Sequence, residues 1–152
     1  MPATIGSPAP AFELRDQHRE VFSSEDLKGK KSLIVFIPFP FTGICDGEAC
    51  AIRDGLGELG DMDANVVVIT THAFNTTSRW AAENGFEFPI LSDYWPHGEV
   101  AREYGALNEK VGAANRSTYV LDADGIVRDI IETEGLPVAR EHEAQVAALA
   151  AV

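Results

Sequence analysis

The chain has 152 residues, enough for one domain with a real hydrophobic core, and its apolar fraction of 45% is ordinary for a globular protein. Its 24 acidic against 12 basic residues give a formal net charge of −12, which repels nucleic acid and anionic membrane surfaces and argues against both as partners. No apolar stretch approaches the roughly 18 to 20 residues of a membrane span, and the N-terminus lacks a basic segment followed by an apolar one, so a cytoplasmic protein is expected.

No repeat or low-complexity linker divides the chain, and one continuous domain over residues 1–152 is expected. AFELRDQ and EVFSSEDL alternate apolar and polar positions as two short strands, turning near His18 and Arg19. SLIVFIPF is an unbroken apolar run of the kind covered on both faces, which puts Ser32 to Ile37 at the middle of a sheet. A helix to about Leu59 follows, then strand NVVVIT from Asn65, a helix ending at Gly85, and strand PILSD from Pro89. A short helix from Glu99 to Tyr104, a hairpin turning at Asp124-Gly125 and a closing helix from Val138 to Val152 complete an α/β pattern. Ligands in such folds bind beyond the carboxyl ends of the central strands.

At that end of the central strand lies PFPFTGICDGEAC, residues 38–50, holding both cysteines of the chain. Two cysteines are too few for a disulfide scaffold and suit a reducing compartment with a catalytic or transient use of sulfur. Pro38 cannot donate to a strand ladder and Pro40 repeats the obstacle, so the chain leaves the sheet near Phe39. Thr42 is then expected to cap a helix whose first turn contains Gly43, Ile44 and Cys45, where unpartnered N–H groups and the macrodipole favour an anion. A nucleophilic Cys45 thiolate fits that place.

At about 100° per residue, Cys45, Ala49, Ile52, Leu56 and Leu59 share one apolar stripe, whereas Cys50 falls among Asp46, Arg53 and Asp54 on the outer side. Two readings of the pair stay open: a reactive thiol with a redox partner, or two small apolar side chains that happen to be neighbours. On an intact helix, Cα atoms at this spacing lie about 8 to 9 Å apart, against less than about 7 Å for a disulfide. A bond would require unwinding, which Gly43 and Gly47 make less costly.

His18, His72, His97 and His142 are scattered without ligand spacing, and a C-x4-C pair alone is a weak zinc signal, so no metal is expected. Neither a phosphate-binding glycine loop nor a G-x-S-x-G elbow occurs. Arg116, in ANRSTYVL, stands just before an expected buried strand; it either pairs with an anion at the active end of the sheet or is a solvated loop arginine. Phe39, Phe41, Tyr94 and Trp95 are candidates for a pocket wall or a subunit interface, or else pack locally.

PFPFTGIC has the P-x-x-x-[TS]-x-x-C form of the peroxiredoxin active site. IGSPAPAFELRDQ, FTGICDGE, FPILSDYWPHGEVAREYG and ANRSTYVLDADGIVR resemble the AhpE-type peroxiredoxins in order and spacing over nearly the whole chain. The resemblance implies a thioredoxin-like fold, with a central mixed sheet flanked by helices and an N-terminal hairpin. It also implies no metal or organic cofactor, reduction of hydrogen peroxide, organic hydroperoxides and peroxynitrite, and assembly into homodimers or larger homo-oligomers. By position, Cys45 resembles the peroxidatic cysteine, Thr42 the hydroxyl that hydrogen-bonds the peroxide, Pro38 the shield of the thiolate, and Arg116 the guanidinium that polarises both. Glu48 fits the family's acidic position, where it orients an arginine.

AhpE-type proteins are described as one-cysteine enzymes, whereas the PrxQ or bacterioferritin-comigratory group often carries a resolving cysteine in the C-x4-C arrangement. On that pattern Cys50 attacks the sulfenic acid at Cys45, and a thioredoxin-like or glutaredoxin-like partner reduces the disulfide; otherwise an external or low-molecular-weight thiol reduces Cys45. Two rivals share the fold: a general thiol-disulfide oxidoreductase, for which C-x-x-C is the expected spacing, and a non-enzymatic peroxide sensor.

Overall fold

Strand alternation splits the core into two. The computed structural model describes residues 2–152. Helices and strands follow in the order β1 (Glu13–Arg15), β2 (Val21–Ser23), β3 (Ser32–Phe36), α1 (Gly43–Asp54), α2 (Leu56–Asp61), β4 (Asn65–Thr70), α3 (Phe74–Asn84), β5 (Ile90–Ser92), α4 (Glu99–Tyr104), β6 (Leu107–Asn108), β7 (Ala113–Ala114), β8 (Ser117–Leu121), β9 (Val127–Glu132) and α5 (His142–Ala150). Seven strands form one mixed sheet in the order β2-β1-β5-β4-β3-β8-β9, with β3, β4 and β5 parallel and a hairpin at each edge; β6 and β7 pair separately.

In β3, Ile34 and Phe36 point into a core shared with Val67, Ile69, Tyr104 and Tyr119. Leu33 and Val35, followed by Ile37, point the other way, toward Val68, Ile90, Cys45, Ile52, Trp80 and Leu149. All five residues of β3 are buried, which is why its sequence reads as a continuous apolar run. The midpoint of the sheet is β4, one strand away from the expected centre, because the N-terminal hairpin adds to β5 through Arg15 and Ser92 and lengthens that side.

Two helix boundaries differ from those expected. The helix after the cysteine turn stops at Asp54 and resumes at Leu56. At the break, the imidazole of His142 occupies the space that a Cβ on residue 55 would need, so a larger residue there would have to displace it. The closing helix begins at His142 instead of Val138, because the N–H of Arg140 is already bonded to the carboxylate of Glu48, holding the preceding residues as a loop. That loop, the starts of β8 and α1, and the loops after β3, β4 and β5 gather at one end of the sheet.

Beside this end, Asp93 leaves β5 and receives the N–H groups of Val100 (3.1 Å) and Ala101 (2.9 Å), the open donors of the first turn of α4. Burial raises its carboxyl to a pKa of about 6, outweighing these two hydrogen bonds. Since the folded value lies above the unfolded one, Asp93 favours the fold most below its unfolded pKa, and that contribution is lost as pH rises through about 6. Urea titrations from pH 4 to 7 should therefore show Asp93→Asn flattening the stability profile in this window by on the order of 2 to 3 kcal/mol; an unchanged slope would contradict the assignment.

Candidate active site

Pro38 is buried and ends the ladder of β3, turning the chain out of the sheet. Four residues on, Thr42 occupies the N-cap position of α1 with extended backbone, but its side chain makes no cap bond. The Thr42 hydroxyl instead donates to the carbonyl of Phe39 at 2.6 Å, closing the loop on itself. The first-turn N–H groups of α1 are thus left to other partners.

Cys45 is in that first turn with no exposed surface. Its Sγ receives two donors: the N–H of Phe39 at 3.3 Å and Nη1 of Arg116 at 3.2 Å. Arg116, 5% exposed, enters from the residue before β8; because β8 runs antiparallel to β3, its start lies at the end where β3 terminates. Its Nε also donates to the carbonyl of Leu136 at 2.5 Å, which fixes the plane of the guanidinium. Of the two sequence-level alternatives for Arg116, the anion-paired one describes this placement.

Glu48 lies one turn after Cys45 and is buried. Its carboxylate accepts Nη1 of Arg116 at 2.6 Å, then the backbone N–H (2.8 Å), Nε (2.8 Å) and Nη2 (3.0 Å) of Arg140. Burial pushes the Glu48 carboxyl up, but the hydrogen bonds and charge of Arg140, joined by the charge of Arg116, outweigh it and hold the group below its ordinary value. The network runs on: Nη1 of Arg140 donates to the Thr118 hydroxyl at 3.2 Å, which donates to Oε1 of Gln145 on α5 at 2.5 Å.

Arg140 escapes the sequence analysis because it falls inside the expected closing helix, where it reads as one more surface charge. The signal that could have found it is Glu48: a carboxylate one turn from Cys45 faces inward, and a buried charge demands more partners than one arginine supplies.

Cys50 is half-buried and packs against the same apolar cluster as Cys45, in place of the outward position expected from the wheel. The helix does not stand alone, since α2 and α5 both pack against α1. Both thiols are free, and α1 is unbroken between them. Phe39 meets His72 edge-on at 6.0 Å, whereas Phe41, Tyr94 and Trp95 are exposed. Among the described residues, no group of three His, Cys, Asp or Glu side chains is placed to hold a metal ion.

Two donors, a guanidinium and a backbone N–H, thus converge on one sulfur at a helix start, an arrangement able to meet negative charge developing beside it. The AhpC/TSA family model matches residues 5–130. The chain belongs to this peroxiredoxin family. It is similar to alkyl hydroperoxide reductase E of Mycobacterium tuberculosis, with 45% identity over 125 residues, 82% of each chain. The crystal structure of peroxidoxin BcpB from the same organism superimposes with a TM-score of 0.88 at 29% identity, covering 99% of this chain and 98% of that one. The structure of Enterococcus faecalis AhpC gives a TM-score of 0.89 at 24% identity over 98% and 92%, a likeness of fold. The fold is thioredoxin-like, and the peroxiredoxin is a thiol-dependent peroxidase, with a peroxide as substrate and a thiol as reductant.

Arg140→Met removes two of the four hydrogen bonds to Glu48 and leaves a buried carboxylate half-paired. Denaturant unfolding at pH 7 should show a loss of about 3 kcal/mol. Because Glu48 is held below its unfolded value, its contribution is present above about 4.5 and lost as pH falls through the lower folded value, so the deficit of the variant should shrink with acidification.

Proposed function

We propose that Cys45 is the peroxidatic cysteine of a peroxidase for hydrogen peroxide and organic hydroperoxides. The observation that carries this reading is the pair of donors on Sγ, Phe39 N–H and Arg116 Nη1, at a fully buried helix start. The thiolate attacks one peroxide oxygen in line with the O–O bond; that bond breaks, an S–O bond forms, and water or alcohol leaves after taking a proton. Arg116 and the first-turn N–H groups meet the charge growing on the departing oxygen. The Thr42 hydroxyl, with its proton given to Phe39, has lone pairs free to accept the peroxide O–H. Pro38 brings no N–H and keeps water from the sulfur; Glu48 fixes the guanidinium.

Resolution is assigned to Cys50. Its thiolate attacks the sulfur of the Cys45 sulfenic acid, hydroxide leaves, and a disulfide forms that a thioredoxin-like or glutaredoxin-like dithiol reduces. The first turns of α1 must unwind for this. Nothing lies within 4 Å of where a Cβ would stand on Gly43 or Gly47, so no neighbour packs over these two positions. A single domain, working in the cytoplasm as a homodimer or larger homo-oligomer, completes the proposal.

Coupled peroxide consumption with Cys45→Ser should fall at least ~1000-fold, as removal of the nucleophile demands; a variant near wild-type rate would refute the role of Cys45. Peptide mapping after one equivalent of peroxide should give a Cys45–Cys50 linked peptide. A stable sulfenic acid or an external mixed disulfide at Cys45, with Cys50 untouched, would instead make this a one-cysteine enzyme.

A further inference from the structure

Asp46 takes no part in the roles given so far, yet one of its carboxylate oxygens joins three segments. Oδ1 accepts the N–H of Phe41 at 3.0 Å and the indole Nε1–H of Trp80 at 2.8 Å, while Asp46 itself sits on α1. Trp80, on α3, is fully buried and lies edge-on to Phe86 at 5.0 Å, so this end of the bridge is fixed. Phe41 is the opposite case. Its φ of 68° is left-handed, a conformation that a bulky side chain adopts at a cost, and its ring is exposed, so packing contributes little to hold it there.

The two residues flanking Pro40 and Phe41 are those that face the sulfur and the substrate. Phe39 gives its N–H to Cys45 and its carbonyl to the Thr42 hydroxyl. Relaxation of Phe41 to negative φ would swing the peptide planes on either side and carry both groups with it.

We propose that Asp46 is a positioning residue for the peroxidase reaction: by bridging Phe41 N–H to Trp80 it holds the 38–42 loop in the strained form that aims the Phe39 N–H and the Thr42 hydroxyl. This rests on the reading of Cys45 as the attacking thiol. The bridge needs an acceptor oxygen and no charge, so the amide oxygen of asparagine can replace it.

The test uses the full chain carrying Cys50→Ser, which removes any dependence on how the oxidised form is resolved. Asp46→Ala should speed amide hydrogen exchange at residues 41–43 by about tenfold or more and slow the reaction with hydrogen peroxide by about 10- to 100-fold. Asp46→Asn should stay within about threefold of the parent in both measurements. Parental exchange and rate in the alanine variant would overturn the proposal; so would an asparagine variant as slow as alanine, since that implicates charge and not the bridge. Trp80→Phe, which removes one of the two bonds and keeps the aromatic packing, provides a milder variant should alanine prevent folding. It should raise exchange and lower rate together, and unchanged values would again refute the bridge. Loss of the Cys45 reading is detected separately, by peroxide consumption that survives Cys45→Ser, while the exchange comparison still decides the role of Asp46.

Discussion

The carboxylate of Glu48 is the joint on which the site is hung. A charge taken out of water must be paired and hydrogen-bonded or it destabilises the fold, and Glu48 meets that demand with two arginines from distant parts of the chain. One of them, Arg116, has a donor left over for the sulfur. The other, Arg140, spends its remaining capacity on Thr118 and so reaches Gln145 and the closing helix. The same carboxylate thus orders the guanidinium beside the sulfur and docks the C-terminal segment.

Much of this was legible in the sequence because it depends on local chemistry. The all-apolar run of β3, the prolines that end it, and the place of Cys45 on the first turn of α1 follow from hydrogen-bonding capacity and periodicity. The chemistry of Arg116 was legible only as an alternative, since a loop arginine and a buried one look alike until the strand order fixes which loop faces the thiol. What stayed hidden was tertiary. Thr42 has the right residue type for a cap, yet its hydroxyl is taken by Phe39. The break at Gly55 answers to an imidazole far along the chain, and the late start of α5 answers to Glu48. Cys50 sits where an ideal wheel exposes it, yet it is half-buried against the cluster that holds Cys45.

The roles proposed for Cys45 and Cys50 set two demands on α1 that oppose each other. For attack, the first turn must be intact, so that Cys45 meets Arg116 and Phe39 with its N–H groups aligned. For a bond to Cys50, the same turn must come apart. Glycines at positions 43 and 47, with nothing within 4 Å of where a Cβ would stand, lower the cost of opening this turn. Arg116, just before β8, and Arg140, in the loop before α5, stand outside this segment, whereas Glu48 is carried on α1 beside Gly47 and between the two cysteines.

The contacts that define the site span great lengths of chain: Cys45 and Arg116 are 71 positions apart, and Glu48 and Arg140 are 92. During synthesis, therefore, Cys45 and Glu48 emerge long before the arginines that contact them. The donor set around Cys45 is complete only once Arg116 has reached the sulfur, and Glu48 is fully paired only once the loop carrying Arg140 has closed. On the role proposed for Cys45, the reactive form of this sulfur would therefore be a property of the finished fold and not of the local PFPFTGIC segment.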